Sequence, residues 1–313
     1  MKKRTLLPFL FFFLYLLLTP ETAVNAAREG LLLWYHSVLP ALFPFMVLCT
    51  LALRLGLLDH LMLRLYRPFH LMTGCSPYGA FAIMAGFLCG FPMGAKITHD
   101  LQLQEKISPE EADWLMGFVN NLSPGFLISY LACDQMKLPD WAGCFLLNIL
   151  GSAFLYGLIT ASVFRKKQRR TTWNPPQSSA VQAGGLFPII DECISDTIQN
   201  ILRLGAYITM FAILGSALAL LLPEGGIGAL LLRSSVEVTN GIRLLSVSSV
   251  PLHIRFVLVN ALCAFGGLSA LAQSAGIAAM DKSTLLSYIK SRVYITLLCV
   301  LLSCSSVLFS VFL

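Results

Sequence analysis

The sequence predicts an all-α, polytopic helical membrane protein built as two inverted repeats, each with three transmembrane helices and one re-entrant hairpin, plus an N-terminal helix. Three observations carry that prediction. The 313 residues are 57% hydrophobic and 12% charged, with a mean hydropathy of +0.75, far more apolar than an ordinary soluble domain. Uncharged runs such as Trp141 to Phe164 exceed the roughly 20 residues an α-helix needs to cross a bilayer core. The same order of elements also occurs twice, on either side of the basic run Arg165-Lys166-Lys167-Gln168-Arg169-Arg170. Short alternating segments of the β-barrel kind are missing.

The elements follow in order. Met1-Lys2-Lys3-Arg4, the apolar run Leu6 to Leu18 and the small residues around Ala26 read as a retained first helix or a cleaved secretory signal. Retention is expected, because another span follows directly, and either choice puts Ala27 to Trp34 outside. The first repeat, residues 31–164 after an N-terminal segment 1–30, holds an apolar span (Leu39 to Leu58), a Gly/Pro-broken segment (Tyr78 to Ile97), a span (Leu115 to Cys133) carrying Val119-Asn120, and the run ending at Phe164. Residues 165–203 form a cytoplasmic linker and an amphipathic helix. Thr171 to Gly185 is rich in Pro, Gly, Asn and Gln; Leu186 to Leu204 sets Ile189, Ile190, Ile194, Ile198 and Ile201 at helical spacing against Asp191, Glu192, Asp196 and Arg203, the pattern of a helix lying in the interface. The second repeat, residues 204–313, holds a span (Leu204 to Leu222), a broken polar segment (Ile227 to Leu245), a span carrying Val259-Asn260, and a last run to Leu313.

Charge placement sets the orientation. Cytoplasmic loops carry an excess of Lys and Arg. With the amino terminus inside, Arg64 and Arg67 are cytoplasmic; the cluster Arg165 to Arg170 is cytoplasmic only if Tyr78 to Ile97 enters and leaves on the same side. Continuing the count, Ile227 to Leu245 dips in from outside and Lys282, Lys290 and Arg292 lie inside. Three spans per half is an odd number, so the halves are inverted, an arrangement common among secondary transporters. Arg233 and Arg243 fall on the external hairpin against the bias, which requires that they face an aqueous cavity or that the count fails there.

The interruptions point to the site. Gly90-Phe91-Pro92-Met93-Gly94 followed by Lys96 reads as a turn at depth that exposes backbone dipoles and a positive charge; Gly86 and Gly90, four apart, fit close helix packing instead. Asn120-Asn121-Leu122-Ser123-Pro124-Gly125 sets two carboxamides, a hydroxyl and a Pro-Gly break inside a span. Each unpaired polar group in lipid costs several kcal/mol, although Asn-mediated helix association offers a plainer account. The counterpart is Asn260 with Gly266, Gly267, Ser269 and Gln273. Half-helices broken there aim positive amino ends at an anionic or polar solute. The second hairpin adds Glu237, Thr239, Asn240, Gly241 and Arg243. Ionisable groups at membrane depth are functional candidates: Glu237 for a coupling proton or sodium ion, Arg243 or Arg233 for a substrate carboxylate or for Glu237 itself. If that segment sits shallow in the interface, the candidates lose their meaning.

Other chemistries find no support. The net charge of +6 gathers at span ends rather than on a nucleic-acid-binding face. Nine cysteines, an odd number scattered through apolar segments without a C-x-x-C pair, read as inert buried thiols. The nucleotide-binding, metalloprotease and serine-hydrolase motifs are absent, so neither an enzyme nor a cofactor or metal is expected.

The motifs also carry a resemblance. Trp34 with Leu39-Pro40-Ala41-Leu42-Phe43-Pro44-Phe45, Gly90 to Lys96, Ile107-Ser108 with Glu110-Glu111-Ala112, and Phe118 to Phe126 resemble the sporulation integral membrane protein YlbJ family, which belongs to the nucleoside recognition or Gate domain proteins. Glu237-Val238-Thr239-Asn240-Gly241 and Phe265-Gly266-Gly267-Leu268-Ser269 with Gln273 match its second half. The likeness runs from about Leu31 to Val311 and departs at Leu122, where Ser or Gly is expected. It implies a multi-pass protein of the bacterial cell membrane in endospore formers, in the outer forespore membrane, and a carrier of dipicolinic acid, a small aromatic dicarboxylate. The expectation is thus alternating-access transport of a small polar or anionic solute, with the lipid bilayer and a coupling proton or sodium ion as partners and no nucleic acid. A non-transporting sporulation scaffold and a nucleoside transporter are the alternatives. Substrate, coupling ion and oligomeric state are not legible.

Overall fold

The computed structural model describes residues 2–55, 66–168, 185–222 and 226–311. Arg64, the end of the Leu39 to Leu58 span and the expected linker up to Gly185 lie outside the described residues. No strand occurs among the described residues. Helices α1 (Lys2–Leu18), α2 (Pro20–Leu33), α3 (Leu39–Arg54), α4 (Tyr66–Thr73), α5 (Pro77–Cys89), α6 (Met93–Leu103), α7 (Pro109–Met116) and α8 (Pro124–Phe126, continued as a π-helix over Leu127–Gln135) make the first half. They are followed by α9 (Ala142–Gln168), α10 (Leu186–Ala219), α11 (Ile227–Val236), α12 (Val238–Ser246), α13 (Leu252–Phe265), α14 (Gly267–Ile277) and α15 (Lys282–Val311). Among the described residues four helices are long and apolar enough to cross a membrane, and six do so if each of two pairs bent by 100–103° counts as one span. The protein is a polytopic all-α membrane protein.

Helix starts and stops follow local chemistry. Three helices open on Ser-Pro: Ser76, Ser108 and Ser123 each accept a hydrogen bond from the amide three residues on, and the proline at the first helical position lacks an N–H that would have no partner. Glycines end them. Gly74, Gly90 and Gly266 hold φ of +81°, +82° and +89°, the left-handed region that a side chain disfavours.

Both halves of the first broken segment pack together, and both of its ends lie beside the start of α7. The Glu111 carboxylate accepts from the Ser76 amide at the α5 start at 2.7 Å, while α6 runs directly into α7. The two ends of the segment therefore lie close together, so that α5 and α6 form a hairpin. In the second half α11 and α12 fold back around Glu237 in the same way, so closely that a Cβ at Gly241 would lie 2.2 Å from the Ser234 carbonyl oxygen.

Two expectations are corrected. Residues 186–204 are not a separate interfacial helix: α10 is one helix of 34 residues, roughly 50 Å long at 1.5 Å per residue, against a hydrocarbon core of about 30 Å. No proline or glycine breaks it at Leu204, and its polar face is consumed by ion pairs from Arg54 to Glu192 and Asp196. The expected boundary between segment 1–30 and the first repeat likewise falls inside a helix, because α2, a π-turn over Trp34–Val38 and α3 run on as one rod. Rod and α10 lie against each other through small residues: a Cβ at Gly205 would stand 2.7 Å from the Trp34 ring, and one at Gly30 3.0 Å from the Thr209 backbone. The Trp34 indole N–H donates to the Ile201 carbonyl at 3.0 Å.

A close backbone approach lies between α5, α6 and the unwound stretch after α7, where a Cβ at Gly86 would meet the Val119 carbonyl oxygen at 2.2 Å. Overpacking of this kind costs typically about 1–3 kcal/mol. Gly86→Ala is expected to lower the unfolding temperature of the detergent-solubilised protein by several degrees, while Gly143→Ala, with open space around it, leaves it unchanged; equal behaviour of the two would contradict this packing.

Candidate functional site

Four helix amino ends meet at one point. They belong to α6 after Gly90-Phe91-Pro92, to α8 after the unwound stretch 120–123, to α12 after Glu237, and to α14 after Gly266-Gly267. Between them lies a cavity of about 50 Å³ walled by Phe91, Ser123, Glu237, Thr239, Ser269 and Gln273, and closed by the apolar Val38 and Leu42 of the rod with Leu204 and Ile208 of α10. The space is large enough to hold water. Amino ends carry unpaired N–H groups and partial positive charge, and the hydroxyls and carboxamide add directed donors.

The backbone breaks are held by side chains from the other half of the chain. Asn120, fully buried, accepts from the Ala95 amide in the first turn of α6 at 3.2 Å and donates to Ser274 of α14 at 2.6 Å and to the Tyr288 hydroxyl of α15 at 3.0 Å. Asn121 donates to its own Phe118 carbonyl and accepts from Arg292 at 3.2 Å; Arg292 also donates to the Gly117 carbonyl at 3.1 Å. The Tyr130 hydroxyl donates to the Thr239 carbonyl at 3.0 Å, tying α8 to α12. Gly94 is needed for this approach, since a Cβ there would lie 2.4 Å from the Val119 carbonyl oxygen.

Glu237 is buried yet fully engaged. Its carboxylate caps α12, accepting from the Thr239 amide and hydroxyl at 3.1 and 3.0 Å and from the Asn240 amide at 2.8 Å. It also walls a second cavity of about 130 Å³, shared with Glu29, Arg233, Asn240 and Arg243. The two arginines that broke the charge bias thus face a cavity. Arg243 pairs with Glu29 at 2.5 Å and not with Glu237. Glu29 and Arg54 stand at opposite ends of the rod, about 37 Å apart along its axis. On the far side of the amino ends, a third cavity of about 230 Å³ is walled by Asp113, Gly117, Ser287, Tyr288 and Ser291 and continues past Asp113 and Thr284 into a wider recess.

The structure brings together most of the residues singled out from sequence, in different positions. Ser123, Glu237, Thr239, Ser269 and Gln273 wall the central cavity; Gly90, Pro92, Gly94, Gly266 and Gly267 shape its turns; Asn120 and Asn121 brace it from behind, with Pro124 opening α8. Asn240 and Arg243 belong to the second cavity, and Gly241 serves the α11–α12 packing. Three residues lie elsewhere. Lys96 turns to Asp100 four residues on, at 2.6 Å, because helix geometry offers that partner at once. Gly125 is exposed with nothing near it. Asn260 spends its side-chain N–H on the Phe256 carbonyl one turn back, at 2.8 Å, in the α13–α15 contact.

Several residues of the site were not singled out. Phe91, Leu122, Phe126 and Ala270 wall the cavity, and Ser274 and Tyr288 complete the Asn120 network. Arg292 is the largest omission: assigned to the cytoplasmic flank with Lys282 and Lys290, it is 1% exposed. Its position ten residues into a 30-residue helix, about 15 Å from the helix start, and one turn from Tyr288, is the signal that would have found it.

Asn120 and Tyr288 are expected to be energetically coupled across the two halves. Asn120→Ala should destabilise the protein by about 1–3 kcal/mol, and a double-mutant cycle with Tyr288→Phe, followed by denaturant unfolding in micelles, should return a coupling of about 0.5–3 kcal/mol. Strictly additive effects would remove Asn120 from this bridging role.

No family model and no solved structure matches the chain. Among curated proteins it is similar to sporulation integral membrane protein YlbJ of Bacillus subtilis (strain 168), 27% identical over 310 aligned residues that cover 85% of this chain and 74% of that protein. With the apolar helices described above, this similarity over most of its length supports a relationship to the YlbJ family of sporulation integral membrane proteins.

Proposed function

We propose that the protein is a solute carrier of the sporulating cell that works by alternating access, and that its solute is a small aromatic dianion, dipicolinic acid. The observation that carries this reading is the convergence of four helix amino ends from both halves of the chain on one cavity. Irregular backbone at membrane depth is tolerated where it is buried in protein or lines a cavity, and amino ends suit negative charge. Phe91 and Phe126 supply flat walls for a ring, and Ser123, Ser269 and Gln273 supply donors for carboxylate oxygens.

Cavities lie on either side of the central one: Glu237 stands in the wall between the centre and the Arg233–Arg243 cavity, and Phe91 lies on the side towards Tyr288. The Arg243–Glu29 ion pair bridges α12 and the rod and closes the former. An ionised Glu237 repels an incoming dianion, so a proton or sodium ion bound at that carboxylate favours loading. That is the coupling step in this reading. Placement in the outer forespore membrane, as the family resemblance implies, would set the direction of the flux.

Vesicles containing the purified protein are expected to accumulate labelled dipicolinate, and to do so faster under an imposed proton or sodium gradient. Asn120→Ala and Glu237→Gln should each lower uptake at least tenfold while the protein still accumulates in the membrane. Accumulation of nucleosides instead would change the solute. Uptake of neither, with sporulation lost only when the amino-terminal half of α10 is altered, would replace the carrier by a scaffold.

A further inference from the structure

Arg292 is a cation without a counter-charge. Its guanidinium is buried among α7, the unwound stretch and α15, its described acceptors are a carboxamide oxygen and a backbone carbonyl, and no carboxylate pairs with it among the described residues. Its Nε–H finds no acceptor at all. Buried charges in proteins are ordinarily paired and hydrogen-bonded, and charges at membrane depth mark solute paths. If holding the Gly117 carbonyl were the whole role, a neutral donor would serve without the desolvation cost of a cation.

Its surroundings place it on the path. The Phe91 ring lies 6.0 Å from the guanidinium carbon and the Tyr288 ring 5.2 Å; Phe91 walls the central cavity and Tyr288 the third one. The guanidinium therefore stands in the partition between two cavities. Arginine presents five N–H donors in a planar array that suits carboxylate oxygens. Here Nε–H is unfilled, and Nη1 holds only the neutral Asn121 oxygen at 3.2 Å, a contact of the kind an anion displaces.

We infer that Arg292 is the counter-charge for one carboxylate of the transported solute, binding it at the Asn121 edge of the partition, so that the site selects dicarboxylates over monocarboxylates. This rests on the carrier reading above. The first carboxylate meets the helix amino ends and hydroxyls of the central cavity, and the second reaches Arg292 when Phe91 moves aside. Asn121 is the neutral stand-in that occupies the guanidinium in the closed, empty form.

The test is calorimetric binding of pyridine-2,6-dicarboxylate and pyridine-2-carboxylate to the full chain in lipid nanodiscs. The wild-type protein should prefer the dicarboxylate by about tenfold or more, the usual effect of one charge-assisted pair. Arg292→Gln should bring the two ligands to nearly equal affinity, chiefly by weakening the dicarboxylate. Asn121→Asp, almost identical in shape, should do the same by placing a carboxylate of its own on the guanidinium, and it decides the matter if Arg292→Gln does not fold. A wild-type preference that survives in these variants overturns the assignment, as does a wild-type protein that binds both ligands equally; either result leaves the carrier standing. If the wild type binds neither ligand, the carrier reading falls and this assignment falls with it.

Discussion

A helix interrupted inside a bilayer leaves N–H and C=O groups that water cannot reach, and each must find a partner in the protein. That constraint organises this molecule. After a last turn over residues 117–119 the backbone unwinds through 120–123, and the carbonyls of 117 and 118 are answered by Arg292 from α15 and by Asn121 locally, while Asn120 reaches from the same stretch to the first turn of α6 and to Ser274 and Tyr288. Ser274, Tyr288 and Arg292 lie more than 150 residues away in sequence, so neither half completes its broken elements alone. Glycines at 86, 90 and 94 let the backbones approach closely enough for the network to form.

The same constraint produces the site. Once the breaks are placed back to back, helix amino ends face one another, and their shared polarity makes a space suited to negative charge rather than to lipid. Glu237 fits this logic. It spends its carboxylate on the α12 amino end, which holds the break together and puts the one acidic side chain of the central wall where a cation can neutralise it. On the proposed carrier reading, the Arg243–Glu29 pair and the Phe91–Arg292–Tyr288 group are the two partitions whose opening leads to opposite ends of the bundle.

Much of this could be read from the residues. Composition alone gives the solvent, and the Gly-Phe-Pro-Met-Gly and Asn-Asn-Leu-Ser-Pro-Gly runs mark the breaks, because proline and glycine have few uses inside an apolar helix other than close packing or interruption. The position of Glu237 was legible for a similar reason. What escaped was whatever depends on a partner distant in sequence or on the absence of a stop signal. Lys96 points to a site by composition but is claimed by Asp100 one turn on. Arg292 was read as a flank because charge near a span end usually marks topology, and only the fold reveals that α15 starts deep enough to bury it. The continuity of α10 was hidden by its change from amphipathic to uniformly apolar, which looks like a boundary although no residue breaks the helix.

The central claim is that broken backbone from both halves lines one path joining opposite faces of the membrane. Single cysteines introduced into a cysteine-free background at Ser123, Asn240 and Ser287, labelled with a membrane-impermeant thiol reagent from each face of oriented vesicles, test it most directly. The account predicts that the Asn240 position reacts from one face, the Ser287 position from the other, and the Ser123 position from either face in turn, with protection by solute. Reaction of the Asn240 and Ser287 positions from the same face, or a Ser123 position open to neither, would contradict it.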